Sequence, residues 1–197
     1  MVIAYHIIMG LYGFWLPNDP RGSGSDYVGS KDLYEFGPAT KVTGEQSVAK
    51  SEHDAELRRE AKKSLKYKPV RLTGRQAKAI AEAFGALAAT KGWKIYACAI
   101  MPDHIHLVIG SAKDSVERMM NLLKGAATRR LLQLAIHPFQ HELDQQARTP
   151  KMFSRGGRHR FLRDAQTVRG RIKYVNDNPE EIGLPRQHWS FVIPFEH

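Results

Sequence analysis

The stretch that decides the fold of this chain is Lys94-Ile-Tyr-Ala-Cys-Ala-Ile-Met-Pro-Asp-His-Ile-His-Leu-Val-Ile109. The run is rich in β-forming residues, and it is interrupted by Met101-Pro102-Asp103, which is typical of a tight connection. It therefore predicts a strand over Lys94–Ile100, followed by an antiparallel partner over His104–Ile109.

The second strand of this hairpin separates a histidine face from an apolar face. His104 and His106 are two residues apart, so both imidazoles lie on one side, with Cα atoms about 6.8 Å apart at ~3.4 Å per residue. The opposite side should pack against helices, because it carries only Ile105, Leu107 and Ile109. The pair is suited to binding one metal ion, although two ordinary histidines on a strand give the same pattern.

Elements on both sides of the hairpin complete an α+β pattern. Thr73 and Gln76 form a capping-box pattern that opens a helix ending before Gly92. The full predicted order of strands and helices is Val2–Met9, 74–90, Lys94–Ile100, His104–Ile109, 115–136, a strand within Met152–Leu162, and Ala165–Asn178. This order predicts one α+β domain over 1–197, with a ferredoxin-like antiparallel sheet, helices packed on one face, and an inserted excursion at about 25–72.

The last predicted helix divides into an apolar stripe and a polar side. The stripe consists of Val168, Ile172 and Val175 at helical spacing. The roughly opposite side, displayed away from the core, carries Arg171, Tyr174 and Asn178. This display favours a phenolic nucleophile on a C-terminal helix, but an ordinary surface tyrosine and an asparagine that ends a helix before proline also fit the pattern.

The charge of the chain indicates a polyanionic partner. Lys and Arg number 30 against 20 acidic residues, which gives a net charge of +10. Between Arg148 and Lys173 there are nine basic residues and one acid, Asp164. Phosphate contacts are the natural use of such a strip, and the candidates are Arg155, Arg158, Arg160, Arg163, Arg171 and Lys173.

Cysteine content and hydropathy narrow the class of protein further. A single cysteine, Cys98, excludes an intramolecular disulfide and fits a reducing compartment. No apolar run approaches the ~18 residues that a membrane span needs, so the sequence predicts no membrane partner. We therefore expect a cytoplasmic protein.

These motifs together resemble the single-tyrosine transposases of the HUH (His-hydrophobic-His) nuclease superfamily, above all the insertion-sequence-200-like and REP-associated tyrosine transposases. The resemblance is carried by Tyr5-His6, residues 12–22, residues 96–109 and Ile172–Pro179. Within the last two segments, Met-Pro-x-His-x-His-Leu is followed at a distance by Tyr-x-x-x-Asn-Pro. The two motifs in this order are far more specific than either alone.

The resemblance implies a reaction and a set of ligands. His104, His106 and Asn178 would bind Mg²⁺ or Mn²⁺, and Tyr174 would attack phosphorus to give a 5′-phosphotyrosine and a free 3′-OH. The expected substrate is single-stranded DNA beside a hairpin. One tyrosine at this position implies a homodimer, or two rounds of reaction, for complete transposition.

Two other functions stay open at the level of the sequence. A metal-dependent phosphodiesterase could use the same histidines to activate water. A non-catalytic module could bind hairpin nucleic acid through the basic strip alone.

Overall fold

The predicted hairpin forms one side of a four-stranded antiparallel sheet. The computed structural model describes residues 1–17, 19, 28, 31–39 and 54–196. Its elements are β1 (Ala4–Gly10), a 3-10 helix (Lys31–Phe36), α1 (Ala55–Lys63), α2 (Gly74–Lys91), β2 (Ile95–Ile100), β3 (His104–Gly110), α3 (Val116–Gln133), β4 (Arg158–Leu162) and α4 (Ala165–Glu181). The strand order is β2-β3-β1-β4, with antiparallel neighbours throughout. The predicted α+β class is confirmed.

The helix ends follow local chemistry that the sequence makes visible. The Thr73 hydroxyl accepts a hydrogen bond from the backbone N–H of Gln76, and the Gln76 side chain accepts from the backbone N–H of Thr73. Gly92 ends α2 in the left-handed region, with φ of 65°. Ser115 and Asp164 cap α3 and α4 through their side chains.

Helices cover both faces of the sheet, which corrects one part of the prediction. The α2–α3 pair packs on the apolar face of β3, as expected, in a core that includes Ile80, Phe84, Ile105, Leu107, Met119 and Leu123. The histidine face is not left open, because α4 lies across it. Val168 and Val175 of α4 pack there with the small residues Ala97 and Ala99 and with Val108. The expectation that the helices share one face therefore holds for α2 and α3 and is wrong for α4.

The last helix also continues past the predicted stop at Asn178. Proline has no N–H and normally interrupts a helix. Here Pro179 is buried and lies in the last turn, and α4 ends at Glu181. The carbonyl of Pro179 accepts hydrogen bonds from the N–H groups of Ile182 and Leu184, which stabilise that turn. The predicted stop is wrong by three residues. The hydrogen bond that Pro179 cannot donate lies in the last turn, where its loss does not prevent the helix from continuing to Glu181.

The described parts of the predicted excursion at 25–72 pack on the body in two ways. Leu16, Phe36 and Ala61 form a small separate core. Val70 and Leu72 belong to the main core, and the N–H of Val70 donates to the carbonyl of Tyr12. Residues 25–27, 29–30 and 40–53 of the excursion, and residues 18 and 20–22 of the loop at 12–22, lie outside the described residues. In the described part of the chain, no helix is long and apolar enough to span a bilayer.

Candidate functional site

β3 brings the two histidines together beneath α4. His106 is 3 % exposed, whereas His104 lies nearer the surface at the end of the strand. Their ring centroids are 4.7 Å apart, and the ring planes are nearly perpendicular at 78°. The alternation that places both side chains on one face is the one that the sequence predicts. The two imidazoles are therefore close enough to serve one ligand.

Each histidine has a hydrogen-bond partner at Nδ1. Nδ1 of His104 is 2.7 Å from Oδ1 of Asp103. An ionised carboxylate only accepts, so this Nδ1 carries the proton and Nε2 keeps the lone pair. Nδ1 of His106 is 3.0 Å from Nε2 of His6, which is itself buried on β1. Metal-binding histidines characteristically have such a partner on the second ring nitrogen.

Burial keeps the inner histidines neutral. It lowers the pKa of His106 well below its ordinary value, and electrostatic interactions with His104, His6 and Arg171 lower that pKa further. Burial is also the main cause that lowers the pKa of His6 to about 3, with smaller contributions from Arg171, Arg160 and Arg158. A neutral imidazole is the form that binds a metal ion.

Tyr174 lies against the histidines and not away from the sheet. Its ring centroid is 5.7 Å from that of His106 and 5.9 Å from that of His6, with the rings nearly perpendicular. The residue is still 36 % exposed. The prediction that Tyr174 is displayed away from the core is therefore wrong, because it occupies the flank of the buried stripe of α4. At this position the ring contacts buried groups while part of it reaches solvent.

Asn178 lies one turn after Tyr174 and is 7 % exposed. Its Nδ2 donates to the backbone carbonyl of Tyr174 at 2.8 Å, so Oδ1 remains as an acceptor. No three described His, Cys, Asp or Glu side chains form a cluster that could hold a metal. Among these residues, the atoms of a type that a divalent cation takes as ligands are Nε2 of each histidine and the amide oxygen of Asn178.

Three of the predicted phosphate-binding arginines lie around this site. Arg158 and Arg160 are on β4, directly across from Ile8 and His6 of β1. Alternate residues of an edge strand share one face, so both lie on the histidine side. Cζ of Arg171 is 5.7 Å from the ring centroid of Tyr174. Burial, and secondly the charge of Arg171, lowers the pKa of Arg158.

The other predicted phosphate contacts are not brought to Tyr174. Arg155 and Arg163 are exposed, before and after β4. Lys173 forms an ion pair with Asp177 one turn along α4, and Asp177 also pairs with Arg186. Lys173, although next to Tyr174 in sequence, is therefore held by Asp177 on another side of the helix.

Sequence reasoning gave no role to two residues that the structure places in the site. The hydrogen bond of His6 to His106, 100 positions along the chain, depends on the pairing of β1 with β3. Phe14 stacks on His104 with ring centroids 4.6 Å apart and an interplanar angle of 23°. Alternation along β1 is the sequence signal that could have identified His6. Tyr5, Ile7 and Met9 occupy the core face of β1, so His6 lies on the opposite face, with the other histidines.

Comparison with protein families gives an independent result. Residues 63–156 match the family described as "Transposase IS200 like". The matched segment contains both histidines and ends before Arg158, Tyr174 and Asn178. No curated protein matches the chain in sequence.

Comparison with solved structures finds similar folds. The structure of a REP-associated tyrosine transposase bound to a REP hairpin matches with a TM-score of 0.50 at 10 % identity, over 93 % of this chain and 70 % of that one. A crystal structure assigned to a transposase from Deinococcus radiodurans matches with a TM-score of 0.42 at 14 % identity, over 90 % of this chain and 91 % of that one. The resemblance predicted from the sequence is confirmed by the match of residues 63–156 to the IS200-like transposase family.

Proposed function

We propose that this protein cleaves and rejoins single-stranded DNA beside a hairpin, with Tyr174 as the nucleophile. The observation that carries the proposal is the contact of the Tyr174 ring with His106 and with the Arg171 guanidinium. The family match over residues 63–156 agrees with it. The similarly folded REP-associated transposase, bound to a REP hairpin, supports hairpin DNA as the class of substrate.

In the proposed reaction the arginines hold the scissile phosphate next to the phenol. Guanidinium groups bind phosphate oxygens in fixed geometry and stabilise charge that develops there. The Tyr174 oxygen gives its proton to solvent water and forms a bond to phosphorus, while the bond from phosphorus to the 3′ oxygen breaks and that oxygen takes up a proton from solvent. The products are a 5′-phosphotyrosine and a free 3′-OH. Attack by a 3′-OH on the phosphotyrosine reverses these steps and joins strands.

Three residues are proposed to bind Mg²⁺ or Mn²⁺: His104, His106 and Asn178. A bound ion of this kind would neutralise charge on the scissile phosphate. The contribution of the chain itself is orientation. Asp103 keeps the lone pair of His104 on Nε2, and burial keeps His106 neutral.

The rest of the basic strip is proposed to bind DNA outside the reacting centre. Arg155, Arg163 and Lys173 are exposed, and a nucleic-acid backbone would pair with their charge, replacing Asp177 as the partner of Lys173. Contacts of this kind position the substrate without reading its sequence. A homodimer would supply a second tyrosine for strand transfer.

The test is a search for a covalent adduct. The protein is incubated with Mn²⁺ and a pool of labelled single-stranded hairpin oligonucleotides, and the products are separated on a denaturing gel. We expect a protein–DNA adduct that Tyr174→Phe abolishes. Tyr34→Phe is the matched control, because Tyr34 is an exposed tyrosine on another element.

Other outcomes would assign the protein to a different class. Cleavage that persists without an adduct in Tyr174→Phe, but is lost in His104→Ala, would indicate a nuclease that uses water. Binding of hairpins with steep salt dependence and no cleavage would indicate a non-catalytic module.

A further inference from the structure

His6 is a buried polar residue to which the proposed reaction gives no task. It is 3 % exposed and lies on the central strand β1, opposite Val108 of β3 and Arg160 of β4. A polar side chain at this depth is costly unless it is hydrogen-bonded. Its partner is Nδ1 of His106, 3.0 Å from Nε2 of His6.

The geometry of this pair suits a hydrogen bond in the plane of both rings. The ring planes differ by 11°, and the centroids are 5.3 Å apart, so the two rings lie nearly parallel with their nitrogens facing each other. In a neutral imidazole one nitrogen donates and the other accepts. The bond therefore links the tautomers of the two rings, because one proton must lie between these nitrogens.

The tautomer of His106 decides what the ring offers to the site. If His106 donates from Nδ1, its Nε2 carries a lone pair. If His6 donates instead, Nε2 of His106 carries a proton and cannot bind a cation. The first arrangement gives His106 the same tautomer that Asp103 enforces on the adjacent His104. Only this arrangement makes the two histidines equivalent ligands.

We propose that His6 is a positioning residue that accepts the hydrogen bond from Nδ1 of His106, and so fixes the unprotonated Nε2 of His106 as a ligand for a divalent cation. The inference deepens the proposed function and rests on its metal site. His6 is not itself a ligand in this scheme, because its Nε2 is used by His106. Its effect reaches the cation through the orientation and tautomer of another ring.

Substitutions at His6 can distinguish the effect of its Nε2 acceptor from the effect of its ring size. The amide of glutamine places an acceptor where Nε2 of histidine lies, whereas asparagine reaches only to the position of Nδ1. His6→Gln should therefore keep the bond, and His6→Asn is its matched polar control. His6→Phe keeps a ring of similar size and removes the acceptor. Circular dichroism and thermal unfolding of all three variants test that each is folded.

The first readout is the tautomer of His106 in the metal-free protein, from long-range nitrogen–proton NMR of the histidine side chains near pH 7. We expect a proton on Nδ1 in the wild type and in His6→Gln, and a substantial population with the proton on Nε2 in His6→Asn and His6→Phe. A wild-type ring protonated on Nε2 would overturn the inference. So would a tautomer that none of the substitutions changes.

The second readout is the affinity for Mn²⁺, followed by electron paramagnetic resonance without DNA. We expect His6→Asn and His6→Phe to lose about 10–100-fold, the usual cost of removing such a partner. His6→Gln should stay within about threefold of the wild type. Equal affinities in all variants, or no Mn²⁺ binding by the wild type, would contradict the inference. If the wild type binds Mn²⁺ as expected but forms no DNA adduct, the proposed reaction fails and the role of His6 is still supported.

Discussion

Asp103 accepts a hydrogen bond from Nδ1 of its sequence neighbour His104, at 2.7 Å from Oδ1. The connection between β2 and β3 brings the carboxylate to the ring just where β3 begins. Two consecutive residues thereby fix the tautomer of a candidate ligand. In the same connection, the carbonyl of Pro102 accepts a hydrogen bond from the N–H of Leu72. A main-chain hydrogen bond therefore also holds this connection in place.

Replacement of Asp103 by asparagine should weaken the cation site without unfolding the protein. An amide in either orientation is a weaker partner than a carboxylate and can also donate, so His104 would no longer be held in one tautomer. We expect a loss of about 10–100-fold in Mn²⁺ affinity, measured by titration. Asp114→Asn is the matched control, because Asp114 pairs with Arg118 on the surface. Equal affinities of the two variants would contradict the assignment.

Arg171 should affect the reaction more than it affects DNA binding. Its guanidinium lies over the Tyr174 ring, where a scissile phosphate would develop charge. We expect Arg171→Gln to slow adduct formation about 10²-fold, the cost typical of losing one preorganised electrostatic contact. The slope of log binding constant against log salt should fall by about 0.7, as for one phosphate contact on a single strand.

The control for this experiment is Arg130→Gln, because Arg130 pairs with Glu82 on the α2–α3 side. It removes one positive charge at a distance from the site. A similar loss of rate in both variants would show that net charge, and not the position of Arg171, controls the reaction.

The stability of the protein should fall as the pH is lowered from about 6.5. The pKa of His6 is about 3 in the folded protein against an ordinary 6.5, and that of His106 is also lowered. Between these values the unfolded chain binds protons that the folded chain does not, so the free energy of unfolding decreases with falling pH. The expected slope is about 1.4 kcal/mol per pH unit for each such histidine.

Urea unfolding at several pH values between 7 and 4.5 measures this slope. His6→Gln should be less sensitive to pH by about 1.4 kcal/mol per unit, because it removes one of the titrating groups. His106 and Tyr174 face His6, and the charges of Arg171, Arg160 and Arg158 lower its pKa. Three carboxylates also have lowered pKa values: Asp144, Asp164 and Asp177. The stability that these carboxylates contribute is lost at more acidic pH. An unchanged slope in His6→Gln would contradict the burial of a neutral His6.

Local signals in the sequence predict the elements but not how they assemble. The capping box at Thr73 and the alternation through His104 and His106 depend on neighbours in the chain, and both form as expected. The pairing of β1 with β4, which brings Arg160 beside His6, joins residues more than 150 positions apart. No local pattern specifies that register. The passage of α4 over the histidine face likewise depends on the small residues Ala97 and Ala99 beneath it.

The C-terminal segment illustrates the same limit. The Gln187 side chain accepts from the N–H of Ile100 and donates to its carbonyl, at 2.8 and 2.9 Å. It thus pairs with the edge strand β2 as the backbone of another strand would, close to the bridge between Val192 and Ile95. Such pairing protects an edge from other chains. This polar contact has no signal in the sequence.

A side chain at Gly10, the last residue of β1, should disturb the packing around His104. It lies opposite His104 in the sheet. A Cβ at Gly10 would lie 2.8 Å from the Phe14 ring, 2.8 Å from Oγ of Ser154 and 3.0 Å from the Trp15 ring. Real Cβ atoms do not approach other atoms so closely, so Phe14 would have to move. The ring that moves is the one stacked on His104 at 4.6 Å.

We therefore expect Gly10→Ala to destabilise the protein by about 1–3 kcal/mol, as overpacking usually does, and also to weaken Mn²⁺ binding because His104 loses its ring support. Gly170→Ala is the matched control, since nothing lies within 4 Å of a Cβ at that position inside α4. It should stabilise the protein by about 0.5–1 kcal/mol and leave Mn²⁺ affinity unchanged. Urea unfolding and Mn²⁺ titration of both variants measure the two effects. If Gly10→Ala lowers stability but binds Mn²⁺ as tightly as the wild type, Phe14 contributes to packing and does not orient His104.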